Sequence, residues 1–112
     1  LDCRSCETLA DQLREWPLRE NGLALLWTDG APLPLSAAET LADAGAGLVG
    51  TDAASIDDVP YEVHRFLLAR DILIAENLAN LERIGPGLVE CALLPLALKN
   101  ADAAPARAIA WR

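Results

Sequence analysis

The chain has a single histidine, His64, and Glu76 follows it twelve positions later, at the end of the apolar run Ile72-Leu73-Ile74-Ala75. Imidazole can give zinc or manganese a neutral nitrogen ligand, and it can carry a proton near neutral pH. A glutamate closing a core-like run needs a partner, because burying an unpaired carboxylate is costly. The residues alone leave two readings open for each group. His64 lies beside Val63 and Phe66-Leu67-Leu68, so it fits a satisfied core or surface histidine as well as a ligand. Glu76 fits a cap for a helix starting near Leu78 as well as a metal-binding group. The link Arg70-Asp71 between the elements carrying them is short, which predicts that the two side chains approach each other.

A second polar cluster precedes them. Gly50-Thr51-Asp52-Ala53-Ala54-Ser55-Ile56-Asp57 reads as a tight turn after a strand, in which Asp52 and Ser55 suit hydrogen bonds to local backbone. Cys3 and Cys6 form a C-x-x-C, but no second pair or nearby histidine completes a zinc site, and Cys91 makes the count odd. Reduced thiols fit this pattern, and with them a cytoplasmic setting.

These groups must be positioned by a framework that the hydrophobic pattern outlines. Leu9, Leu13 and Trp16 predict a helix over Ser5–Trp16, stopped by Pro17. Leu23–Trp27 reads as a strand entering the turn Thr28-Asp29-Gly30. Ser36 and Glu39 have capping-box spacing, predicting a helix over Ala37–Ala44 that ends at Gly45. Leu48–Val49 is a buried strand, Tyr61–Ala69 a helix opened by Asp58 and Pro60, and Ile72–Ala75 a third strand. Leu78–Ile84 reads as a short helix, followed by strands Val89–Leu98, interrupted at Pro95, and Ala106–Trp111. Alternating strands and helices predict one α/β domain over residues 1–112, with all five strands in a central mixed sheet covered by helices, and the continuous apolar strands predict that both of its faces are covered.

Composition narrows the function. Nine basic against seventeen acidic residues give a net charge of −8, which leaves no basic surface for nucleic acid or anionic lipid. No apolar stretch is long enough for a membrane helix, and no leader pattern precedes Leu1. A chain opening on Leu rather than Met reads as a fragment, a processed piece or one half of a split protein.

Taken in order, G-T-D-A-A-S-I-D from Gly50, then His64, I-L-I-A-E-N-L-A-N-L from Ile72, L-P-L-A-L from Leu94 and D-A-A-P-A-R-A from Asp102 resemble the C-terminal half of the cyclase family of metal-dependent hydrolases. Bacterial kynurenine formamidases belong to that family. The resemblance implies a swivelling β/β/α layered fold, with His64 and Glu76 as metal-binding and catalytic residues for zinc or manganese. It also implies a substrate pocket lined by Thr51, Asp52 and Ser55, and an Asn77 that orients Glu76. Pro95 and the stretch Asp102–Arg107 would be architectural, with Arg107 paired to a carboxylate. The implied activity is hydrolysis of a small amide-type substrate, such as an aryl formamide, or of a cyclic amide or ester, by metal-activated water. The family's main metal motif, H-x-G-T-H-x-D, is absent, so an N-terminal partner segment or another chain would have to supply it; the resemblance separately implies a homo-oligomer. The alternative is a non-catalytic remnant of the fold that serves as a binding or assembly module. The chain also departs from the family between Gly30 and Ser36, where Ala31-Pro32-Leu33-Pro34-Leu35 replaces a longer aromatic-rich excursion.

Overall fold

The structure is a computed structural model that describes residues 1–2 and 9–112. Cys3, Cys6 and the start of the first predicted helix lie outside the described residues. Helix α1 spans Leu9–Glu15 and buries Leu9 and Leu13, the stripe expected from their spacing. The chain then runs through β1 (Gly22–Leu26), α2 (Leu35–Asp43), β2 (Ala46–Thr51), α3 (Glu62–Leu68) and β3 (Leu73–Ala75). A four-residue helix, α4 (Leu81–Ile84), leads into β4 (Glu90–Pro95) and β5 (Ala106–Trp111).

Strands β1, β2 and β3 form a parallel sheet in that order, with β2 in the centre. Parallel neighbours need a crossover, and α2 and α3 supply the two crossovers. Alternation along β1 turns Ala24 and Leu26 inward, where they join Val49 of β2, Ala37, Ala38 and Leu41 of α2, and Val63 and Leu67 of α3. Leu26, Leu41, Val49 and Leu67 are fully buried, each removing roughly 1.5–3 kcal/mol worth of side-chain surface from water. Leu68, next to Leu67 but on the other side of α3, is exposed. At the outer edge of β1, Asp2 pairs in parallel with Trp27, and Gln12 of α1 exchanges two hydrogen bonds with the Asp2 backbone.

The layered α/β class holds, but the single five-stranded sheet does not. Strands β4 and β5 form a separate antiparallel hairpin, running from Glu90 opposite Trp111 to Pro95 opposite Ala106. The hairpin stands over the sheet face that carries Leu23 and Leu25, opposite the helices, and the layers are thus hairpin, parallel sheet and helices. The hairpin does not close onto that face. Cavities of about 280 and 350 Å³ lie between them, the first reaching Leu23, Trp27 and Cys91, the second Leu25, Leu93 and Ala108. Helices α2 and α3 cover one face of the sheet, while α4 and the hairpin border the cavities at the other. Part of the open face is filled by Leu78, which is admitted by Gly50: a Cβ there would lie 2.7 Å from Leu78 Cδ1 and 2.9 Å from Leu25 Cδ2.

Several boundaries also shift. The Ser36–Glu39 capping box does not form; α2 starts a residue earlier, at Leu35, with Pro34 at the cap position and no side-chain cap. Ser36 is already inside the helix, where its carbonyl accepts the Thr40 hydroxyl. The strand at Leu48–Val49 lengthens to Ala46–Thr51 because its neighbours on both sides pair with it. The helix expected from Leu78 starts only at Leu81, since Asn77 and Asn80 both adopt left-handed backbone that a helix cannot contain. The strand expected over Val89–Leu98 ends at Pro95; one rung further Leu96 N–H still donates to Pro105 O at 2.9 Å, but Pro105 has no N–H to return the bond.

Candidate functional site

The loops after β1, β2 and β3 converge at the carboxyl ends of the parallel strands, the usual place for a ligand site in an open α/β sheet. Thr51 closes β2, and Glu76 follows β3 directly. The segment after Glu76 docks on the loop after β2, with Asn77 N–H donating to Ala53 O at 2.9 Å and Leu78 N–H to Thr51 O at 3.0 Å. Asn77 thus braces two loops rather than Glu76, and its side-chain amide reaches Ala54 O at 3.5 Å.

His64 lies in the first turn of α3 and Glu76 beyond β3, and the expected approach is present. His64 Nε2 and Glu76 Oε1 are 3.3 Å apart, with both side chains roughly 30% exposed (28% and 30%). The same Glu76 oxygen accepts the Ile56 N–H at 2.7 Å. On the far side of the imidazole, Nδ1 meets Asp57 Oδ1. Asp57 is buried, and its Oδ2 accepts the Val63 N–H at 2.7 Å and the His64 N–H at 3.4 Å. Sequence reasoning gave the opening of α3 to Asp58 and Pro60, whereas Asp57 receives the N–H groups of its first turn. The available signal was an aspartate seven residues before a lone histidine and just ahead of a helix start. Tyr61, with left-handed backbone, places its ring edge-on to the imidazole at 5.7 Å between centroids.

The pocket residues inferred from the resemblance are tied into the frame. Thr51 is buried, and its hydroxyl accepts the Ala53 N–H at 3.1 Å. Asp52 accepts the Thr28 N–H and the Thr28 hydroxyl on Oδ1, at 2.7 and 2.8 Å, and the Gly30 N–H on Oδ2 at 3.1 Å. Burial pushes the Asp52 carboxyl up, but the hydrogen bonds from Thr28 backbone, Thr28 side chain and Gly30 outweigh it and hold the group below the ordinary aspartate value. Ser55 donates its hydroxyl to the Asp57 carbonyl at 2.8 Å. These are the local backbone bonds that the residue types suggested, together with a tie from Asp52 to the β1 loop. Among the described residues Arg107 forms no ion pair; it lies on the hairpin opposite Leu94.

The donor set can be tested against a divalent ion. Two ligand atoms bound at 2.0–2.1 Å on a tetrahedral zinc lie about 3.4 Å apart, and the Nε2–Oε1 separation matches that edge. Nitrogen and carboxylate oxygen both suit zinc or manganese. The number of ligands falls short. Among the described residues, no group of three or more His, Cys, Asp or Glu side chains could hold a metal ion, because Asp57 serves the opposite ring nitrogen. The residues present fit one side of a metal site.

Comparison with known proteins points the same way. The chain is 43% identical over 90 residues to a kynurenine formamidase from Bordetella avium, covering 74% of this chain and 41% of that protein. It is 42% identical over 89 residues to a kynurenine formamidase from Salinibacter ruber, with the same coverage. A solved structure described as a potential metal-dependent hydrolase with cyclase activity superposes with a TM-score of 0.75 at 27% identity, over 88% of this chain and 54% of that one. No protein-family model matches. By sequence the chain is similar to the C-terminal part of kynurenine formamidases, and by fold to a cyclase-type metal-dependent hydrolase. It spans about 41% of the length of those curated relatives. Among the described residues, no helix is long and apolar enough to cross a membrane.

Proposed function

We propose that this chain forms one side of the active site of a metal-dependent hydrolase acting on small amide-type substrates such as aryl formamides, with cyclic amides or esters as related substrates. The observation that carries the reading is the 3.3 Å approach of His64 Nε2 to Glu76 Oε1 at the carboxyl ends of a parallel sheet, in a chain similar in sequence to kynurenine formamidases. In this reading His64 and Glu76 hold a divalent ion, zinc or manganese, from one side. A bound ion of that kind polarises a carbonyl and lowers the pKa of bound water toward neutrality. The chain's own residues supply position: Ile56 N–H fixes one Glu76 oxygen, and the imidazole faces that oxygen across the gap where the ion would sit. Thr51, Asp52 and Ser55 shape the substrate side by fixing the path of the loop.

The remaining ligands come from the part of the relatives' length that this chain does not span, on an N-terminal segment or on a different chain that carries it. The exposed apolar residues Leu94, Ile109 and Trp111 of the hairpin support association with such a partner. A cytoplasmic setting agrees with the free thiol of Cys91. A second reading, a non-catalytic assembly module, is favoured by the lack of a third ligand among the described residues.

Metal analysis combined with a formamide hydrolysis assay separates the two readings. The 112-residue chain is expected to bind zinc or manganese weakly and to be inactive, since affinity grows with ligand number. Combined with the complementary N-terminal segment of a relative, it should hold metal and hydrolyse an aryl formamide. A folded complex without metal or turnover would leave the assembly module as the answer.

A further inference from the structure

We infer that Asp57 is a positioning residue for His64, selecting the ring tautomer that leaves Nε2 bare toward Glu76. The inference rests on the reading above that Nε2 is the nitrogen facing the ion. Three observations carry it. Asp57 Oδ1 makes a hydrogen bond with His64 Nδ1, whereas Glu76 Oε1, 3.3 Å from Nε2, makes none with the ring, so in a neutral ring Nδ1 carries the hydrogen and Nε2 keeps its lone pair. The carboxylate is itself fixed, because Oδ2 is held by the Val63 N–H at 2.7 Å and more weakly by the His64 N–H at 3.4 Å. It is also almost fully enclosed, with 8% of its side chain exposed, so water does not compete for the contact.

The arrangement sets distance as well as tautomer. Ile56 and Asp57 are adjacent in one loop. The Ile56 N–H holds Glu76, while the Asp57 carboxylate holds His64. The Ile56 side chain is locked in the core, and the Asp57 carbonyl accepts the Ser55 hydroxyl. One dipeptide thus spaces both groups. A plain helix cap would explain the bonds to Val63 and His64 backbone N–H groups but not the second oxygen's contact with the ring.

Asp57→Asn separates these roles, since asparagine caps helices about as well as aspartate. Its one carbonyl oxygen would take the Val63 N–H, leaving its NH₂ group facing Nδ1. Nδ1 would then have to accept, moving the ring hydrogen to Nε2. Because His64 is the only histidine, nitrogen-15 NMR of the ring reads a single residue. At a pH where the ring is neutral, wild type should show the Nδ1–H form and Asp57→Asn the Nε2–H form, with circular dichroism unchanged. Zinc affinity of the complex with the complementary segment should fall about 10–100-fold in Asp57→Asn. An Nε2–H ring in the wild type would overturn the inference without any variant, as would an unchanged tautomer and unchanged zinc affinity in Asp57→Asn. Absence of zinc binding in the wild-type complex would instead overturn the metal reading, while the tautomer switch would still establish the role of Asp57.

Discussion

The parallel sheet and the β4–β5 hairpin are written in similarly apolar sequence, yet they end in opposite situations. β1 reads Gly-Leu-Ala-Leu-Leu and β2 Ala-Gly-Leu-Val-Gly-Thr; β4 reads Glu-Cys-Ala-Leu-Leu-Pro and β5 Ala-Arg-Ala-Ile-Ala-Trp. In the sheet, Leu26 and Val49 are sealed under α2 and α3. In the hairpin, Leu94, Ile109 and Trp111 are each about half exposed (57%, 47% and 46%). The sheet meets its cover within the chain through the two crossover helices. The hairpin comes after the last helix and has only its own two strands and a gapped face to lie against. An apolar strand records that something covers it, not which segment does. Here the uncovered strands lie in a chain that spans about 41% of its relatives' length, while the covered ones carry the candidate site.

The sharpest way to break this contrast is a truncation in each layer. Leu67→Ala, in the sealed helix layer, should cost about 2–5 kcal/mol in urea unfolding, enough to leave the chain largely unfolded at modest denaturant. The next effect belongs to the boundary between the layers. Gly50→Ala would force Leu78 and Leu25 away from the new methyl group and should cost about 1–3 kcal/mol, read by the thermal midpoint.

Asp52 gives a smaller, pH-dependent effect. Its folded value is depressed, so its contribution is present above the ordinary aspartate value, near pH 4, and is lost as pH falls through the lower folded value. Asp52→Asn should therefore cost about 1 kcal/mol at neutral pH and flatten the loss of stability on acidification, measured by melts between pH 2 and about pH 7. The smallest effect is expected on the hairpin. Leu94→Ala should change the stability of this chain by less than about 0.5 kcal/mol. The same substitution should become costly once a partner is bound, and an equal cost with and without the partner would show that the hairpin is already packed.

The pattern of what the sequence made legible follows the same division. Periodicity located α1, α2 and α3, which bury a stripe, and short apolar runs located the strands whether or not this chain covers them. It could not divide the strands into two sheets, since pairing depends on partners remote in sequence. It lengthened the helix at Leu78 because apolar spacing does not reveal the left-handed turns at Asn77 and Asn80. At the site, the short Arg70-Asp71 link was enough to bring His64 and Glu76 together. The groups that hold them were not legible: the Ile56 contribution is a backbone N–H that no side chain announces, and Asp57 looked like one more loop aspartate beside Asp58. Asp52 was readable as a loop brace, but its partner Thr28 lies in the loop after a different strand.

The central claim is that His64 and Glu76 hold one ion between them, and Glu76→Gln tests it most directly. Glutamine keeps an oxygen to accept the Ile56 N–H, so the loop and the thermal midpoint should be preserved while the carboxylate is lost. Zinc content and formamide hydrolysis are measured on the complex with the complementary segment, for wild type and variant side by side. The account predicts near-complete loss of turnover and a fall in bound zinc in a folded Glu76→Gln complex. Wild-type zinc content with full hydrolysis in that variant would contradict it.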